Sequence, residues 1–220
     1  MFEYEVERGK SVGLREIKMG RTRRQIADHA FTLFRSQGFE ATTIEQIATA
    51  AEVGTRTLYR YYPTKESLIV DFVETSLRGA VAEMREQPME LPLPRALYTV
   101  IETVLRIISE DAERVLAVYQ MAAEAPSVHA KLADLSMRWR LDLSAEIARR
   151  SGDQDAESVA LAAHLSAACT MDIIDIGVRS WVASGGTGDI NRITNKVLEL
   201  MHTGGVPIPT PARMSPQLTN

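Results

Sequence analysis

The chain has 220 residues, 45% of them apolar and 25% charged, with a formal net charge of −4; this length and balance close a sizeable core and exclude wholesale disorder. No uninterrupted apolar stretch approaches the roughly 18–20 residues of a membrane span, the first twenty residues are charged where a signal peptide is apolar, and the lone Cys169 excludes an intrachain disulfide or thiolate cluster. The reading is a cytoplasmic protein without metal, cofactor or membrane partner, with its charge divided: residues 8–65 carry net +6 and residues 66–220 net −7, which points to one segment that meets a polyanion.

Periodicity is helical almost throughout, and no segment alternates as a half-buried strand does, so the fold class is all-α with about nine helices. Residues 1–20 read as a flexible basic arm. The first helix runs from Arg21 to Gln37 on Ile26, Ala30, Leu33 and Phe34, and Gly38 stops it. A short second helix starts at Thr42 or Thr43, where Thr42 with Glu45, or Thr43 with Gln46, makes a capping box. After three or four residues a third covers Gly54 to Tyr61. Pro63 breaks the chain, and Thr64 caps a fourth helix that ends near Glu86.

The proline-rich QPMELPLP at 87–94 reads as a linker. Helices follow over 95–109, 111–124, 127–150 and 155–183, the last apolar on most sides and therefore covered on several faces. SGGTG turns the chain into a final helix capped by Asp189, and residues 204–220, with four prolines, read as a flexible tail. The domains are thus 21–66 and 67–203.

Two short helices with a tight break, inside a basic block and packed by a preceding helix, meet the requirements of a helix-turn-helix. If Val53, Leu58 and Tyr62 face inward, Thr55, Arg56, Tyr59 and Arg60 share the outward face. Hydroxyls and guanidiniums there suit phosphate oxygens and base edges. Tyr62 is assigned to the core. By spacing alone the pair could equally be an uninvolved helical hairpin.

The stretch TRRQIADHAFTLFRSQGFEATTIEQIATAAEVGTRTLYRYYPTKESL at 22–68 adds specificity. Through Phe34, Gly38-Phe39, Ala41-Thr42-Thr43, Ile47-Ala48, Ala51, Val53 and Leu58-Tyr59-x-Tyr61-Tyr62-Pro63-x-Lys65-Glu66 it resembles the DNA-binding region of the TetR family of bacterial transcriptional regulators. The resemblance implies a three-helix reading head, a coupling fourth helix, and a ligand-binding and dimerising bundle from the remaining five. It implies a repressor, not an enzyme, that binds a near-palindromic double-stranded DNA operator as a homodimer and is released by a small-molecule effector. It also assigns Tyr59, Tyr61 and Lys65 to the DNA backbone and makes Thr55, Arg56, Thr57 and Arg60 readers. The Thr42/Thr43 cap would meet a phosphate, and Arg21 and Arg23 of the arm would add contacts. Gly54 replaces the commoner serine cap and Glu52 the frequent turn glycine.

Inward stripes of the later helices give ligand candidates: Tyr98, Ile101, Leu105, Tyr119, Met121, Met137, Leu141, His164, Ala168 and Met171. His164, Asp172 and Asp175 each need a partner if buried. Val12-Gly13-Leu14-Arg15-Glu16, Arg21-Thr22-Arg23, Trp139, Ala148-Arg149-Arg150 and Trp181 are similar to an actinobacterial-type branch of the family, some members of which sense acyl-CoA-like molecules. A hydrophobic or acyl-CoA-like effector is thereby implied. The apolarity of the last two helices makes Ile173, Trp181, Ile190, Ile193 and Val197 candidates for a dimer interface.

Two other classes fit less of the sequence. An all-helical enzyme would need ligand or acid–base pairs, yet the four histidines are scattered and only Asp172 with Asp175 could share a helix face. A protein-binding adaptor would use the basic block as a nonspecific surface.

Overall fold

The computed structural model describes residues 2–152 and 155–207, with side chains from Arg15 onward. Among these residues the elements are α1 (Phe2–Gln37), α2 (Ile44–Ala50), α3 (Thr55–Tyr61), α4 (Lys65–Glu86), α5 (Leu93–Glu110), α6 (Ala112–Glu124), α7 (Pro126–Arg150), α8 (Ala156–Ala183) and α9 (Ile190–His202). The expected all-α architecture is present. The arm expected over residues 1–20 is instead helical from Phe2 and continuous with the helix that follows. No proline interrupts it, and isolated glycines cost a helix only about 1 kcal/mol each. From Arg15 to Arg21 it is exposed, so local propensity rather than packing sustains it there.

Helix ends obey their local chemistry. Gly38 leaves α1 at φ +87° and Gly152 stands two residues past α7 at φ +72°, where a side chain would be strained. The capping box of α2 is Thr43 with Gln46, and that of α4 is Thr64 with Ser67. Asp155 and Asp189 cap α8 and α9 by accepting from the backbone N–H of Ser158 and Asn191.

α4 packs against α1 on one side and α5 and α7 on the other, so the boundary read at residue 66 falls inside a helix that both regions share. The linker is not loose. Arg150, buried in α7, donates to the carbonyls of Met84, Gln87 (2.8 Å) and Pro88 (3.2 Å), satisfying the last carbonyls of α4.

α8 is long and apolar enough to cross a membrane, but it packs against α7 and α9 and carries Asp172, Asp175 and Arg179. The chain reverses through Gly185 and Gly186, both at positive φ, and the Trp181 indole N–H donates to the Gly188 carbonyl at 2.9 Å. α9 then lies so close to α8 that a Cβ at Gly177 would collide with Thr194. Past His202 the tail is described only to residue 207, so most of the segment read over 204–220 lies outside the described residues.

Candidate nucleic-acid interface and internal cavity

α3 is held from behind. Leu58 and Tyr62 are buried, the Tyr62 hydroxyl donates to the Arg23 carbonyl at 3.1 Å, and burial raises its pKa well above the ordinary phenol value. Val53 N–H donates to Ala48 O at 2.9 Å and Gln25 Nε2 to Ala51 O at 3.3 Å, closing the turn between α2 and α3. Glu52, in that turn, adopts φ 54°, which explains why glycine is favoured there; the left-handed conformation costs an L-residue roughly 1–2 kcal/mol.

With its inner side so fixed, α3 presents Thr55, Arg56, Tyr59 and Arg60 together to solvent. Thr57 and Tyr61 are half-buried, and the Arg60 guanidinium lies 5.4 Å from the Tyr61 ring centre. Thr43 is exposed at the start of α2 and Arg21 on α1. The exposed side chains of α3 form a basic, hydroxyl-bearing helix face whose groups suit phosphates and base edges.

Three expected contact residues are spent inside the chain. Thr42 is 1% exposed, donates to Gly38 O at 2.7 Å and accepts from Gln37 Nε2; the cap fell one residue later because Thr42 turns into the α1–α2 corner. Arg23 pairs with the buried Asp71 of α4 at 2.6 Å and lies over the Tyr62 ring, so it ties α1 to α4. Lys65 donates to the carbonyls of Phe39 (2.8 Å), Thr42 (3.2 Å) and Glu40 (3.4 Å), and its ammonium sits 4.2 Å from the Phe39 ring centre. All three of its protons are engaged.

A cavity of about 590 Å³ opens between α4, α5, α6, α7 and α8. Phe72, Val73, Leu77, Val104, Ile108, Val115, Leu132, Leu135, Ile174 and Val178 make it largely apolar, and Ser76, Ser136, His129, Arg140, Asp175 and Arg179 add polar groups. Of the ten expected ligand contacts, Tyr119, Met137 and Met171 line it. Burial beside Asp175 pushes the Tyr119 phenol up to about 12, so it is a neutral hydroxyl at ordinary pH. Ile101, Leu105 and Met121 are buried elsewhere in the core, and Tyr98 is stacked with Arg95 at 5.5 Å. Ala168 lies outside the cavity lining, and exposed His164 bonds only to the Ala160 carbonyl. Leu141 instead borders a shallow outer groove of about 410 Å³ with Arg78, Arg85, Arg138 and Trp139. Equal periodicity on helices that touch several neighbours is why inward stripes did not identify the lining.

The α4 contribution was missed, although Ser76 on an apolar helix face was a signal. The polar residues Asp172 and Asp175 are not an acid–base pair: Asp172 pairs with Arg140, and Asp175 with Arg179 at 2.7 Å. Among the described residues no group of three or more His, Cys, Asp or Glu could hold a metal.

Cavity and head are joined directly. Arg114, in the first turn of α6, lies 4.7 Å from the Phe31 ring centre and 5.5 Å from that of Phe72, and donates to Asp28 at 3.0 Å. Arg35 of α1 pairs with Glu113 beside it. At the base of α4, burial would raise the Glu66 pKa, but bonds from its own backbone N–H, Ser127 and Thr64, with Lys65 nearby, hold the carboxylate below its ordinary value.

The expected dimer residues are also differently placed. Ile173, Trp181 and Ile190 are buried, and Ile193 and Val197 pack against the same core, because α9 folds back on α8. Exposed instead are Leu161, Leu165 and Ile176 on α8, and Leu200 and Met201 on α9.

A profile described as bacterial regulatory proteins, tetR family, matches residues 26–71. The HTH-type transcriptional regulator TcmR of Streptomyces glaucescens is 33% identical over 147 residues, 64% of this chain and 65% of the relative, so the match spans slightly less than two thirds of that protein's length. Among solved structures, Thermus thermophilus FadR, a TetR family transcriptional repressor in complex with lauroyl-CoA, is 23% identical with a TM-score of 0.56, covering 86% of this chain and 98% of that one. FadR from Bacillus subtilis in complex with stearoyl-CoA is 22% identical with a TM-score of 0.56, covering 82% and 98% respectively.

Proposed function

We propose that the chain is a member of the TetR family of bacterial regulatory proteins, whose profile its residues 26–71 match, and that it is a sequence-specific, cytoplasmic transcriptional repressor released from its DNA operator by a small hydrophobic or acyl-CoA-like ligand. The observation that carries the reading is the exposed face of α3, where Thr55, Arg56, Tyr59 and Arg60 are held outward by the buried Leu58 and Tyr62. Thr43 and Arg21 extend the contact to the phosphate backbone, with Thr57 and Tyr61 at its margin.

Regulation follows from the cavity. A ligand shifts the equilibrium only by binding the DNA-competent and incompetent shapes unequally. α4 and α6 both line the cavity and both hold the head, α4 through Asp71 and α6 through Arg114. Loosening of DNA by ligand is then matched by loosening of ligand by DNA. The acyl-CoA-like ligand is suggested by what the two FadR proteins bind.

Two copies reading a near-palindrome need heads about 34–36 Å apart, or a multiple of it. The α8 residues Leu161, Leu165 and Ile176 supply the self-complementary surface.

Selecting duplexes from a random pool, then measuring affinity against salt, tests the reading. The selected duplex binds with an affinity that falls steeply with salt, and Arg56→Ala costs about 1–3 kcal/mol on that duplex but much less on a scrambled one. Retention of no duplex at any salt concentration would sink the proposal.

A further inference from the structure

α1 extends N-terminally beyond the residues that pack the head. The face it turns toward the helix-turn-helix is marked by Gln25, whose Nε2 donates to the Ala51 carbonyl in the α2–α3 turn at 3.3 Å. One and two turns earlier on that face stand Arg21 and Lys18, with Arg15 a further turn back. All three are exposed, and among the described residues none is in an ion pair, whereas Arg23 and Arg35 of the same helix are tied to Asp71 and Glu113. Glu16 is the only acidic residue between Arg15 and Gln25. At about 1.5 Å per residue, Arg15 lies roughly 15 Å along the helix from Gln25.

We propose that this stripe is a second nucleic-acid contact, which holds the phosphate backbone of the duplex outside the operator whatever its sequence. The proposal rests on the reading of α3 as the DNA-reading helix. A duplex bound by α3 continues past the operator and carries one phosphate charge per about 1.7 Å of its axis, so a 15 Å overhang spans roughly four base-pair steps on each flank. Reading a base edge requires a group held in place, and exposed Arg15 and Lys18 are not so held. Phosphate makes no such demand and conveys no sequence information.

The test uses the full chain and two duplexes: the selected operator trimmed to its specified base pairs, and the same operator with about one helical turn of arbitrary sequence on each side. The wild type is expected to bind the flanked duplex at least tenfold more tightly, with a steeper dependence on salt. Arg15→Gln/Lys18→Gln is expected to abolish the difference. Each lost phosphate contact lowers the slope of log affinity against log salt by about 0.9, so two cations on each of two copies lower it by about 3–4 on the flanked duplex. Affinity for the trimmed duplex and the circular dichroism should not change. Arg192→Gln/Lys196→Gln, which removes the same charge from exposed positions of α9, should leave both slopes unaltered. An equal loss in the α9 variant would reduce the effect to net charge and overturn the proposal. So would a wild-type slope retained by the α1 variant, or a flank affinity that changes with flank sequence; in each of these cases operator recognition by α3 stands. If the wild type retains neither duplex, the α3 reading fails and this proposal with it.

Discussion

Glu146 is 3% exposed, yet it carries a full charge, because Arg149 (2.6 Å), Arg150 (3.2 Å) and Arg85 (3.5 Å) surround its carboxylate. The hydrogen bonds from Arg149 foremost, opposed by burial and reinforced by Arg150, lower its pKa from the ordinary value. The carboxylate in turn orients Arg150 onto the final carbonyls of α4. Because the folded value lies below the unfolded one, near 4.3, the stabilisation is fully present above that pH and is lost as pH falls through the folded value. Glu146→Gln should therefore cost about 3 kcal/mol at neutral pH and flatten the acid limb, as urea unfolding between pH 3 and 7 would reveal; an unaltered acid limb would remove Glu146 from this role. Residue identity announces none of this: Ala148-Arg149-Arg150 in the sequence is only a family-like string, and the partner that gives it meaning is supplied by packing. Thr42 and Lys65 teach the same point in reverse. Both are polar residues beside a DNA-facing surface, and the corner between α1 and α2 claims both.

At the scale of the element, α6 is informative because its two ends serve different neighbours. Its first turn inserts Arg114 between Phe31 and Phe72, and the next turns place Val115, Tyr119 and Ala122 in the cavity wall. A displacement of the helix by ligand must pull on α1 through the Arg114–Asp28 and Arg35–Glu113 pairs. Arg114→Ala removes two cation–π contacts, each about 0.5–1 kcal/mol, along with the ion pair. Hydrogen exchange in α1–α3 should then quicken about tenfold relative to α7 and α8; equal quickening in both regions would mean a general loss of stability and no specific link. The helices themselves were legible in the sequence, since caps, prolines and glycines act locally. The exception is the first twenty residues, where charge and glycine suggested an irregular arm although no breaker stands in the way of a helix.

For the whole molecule, the proposed dimer makes the sharpest demand. Leu161, Leu165 and Ile176 lie four to fifteen residues apart on the outer face of α8, whereas Trp181 and Ile190 are consumed by the return of α9. Leu165→Glu should yield a folded monomer by sedimentation, with operator affinity reduced at least tenfold, while Trp181→Glu should fail to fold because its charge would be buried unpaired. A Leu165→Glu dimer would place the interface elsewhere. The sequence by itself determined the all-helical class, the helix ends beyond the first twenty residues and the outward face of α3, because propensity, capping and the i, i+4 spacing operate within a few residues of the chain. Only the tertiary structure decided which apolar stripes close the core, which line the cavity and which remain outside. Each helix touches several others, and the same periodicity serves every one of those faces until long-range packing assigns them.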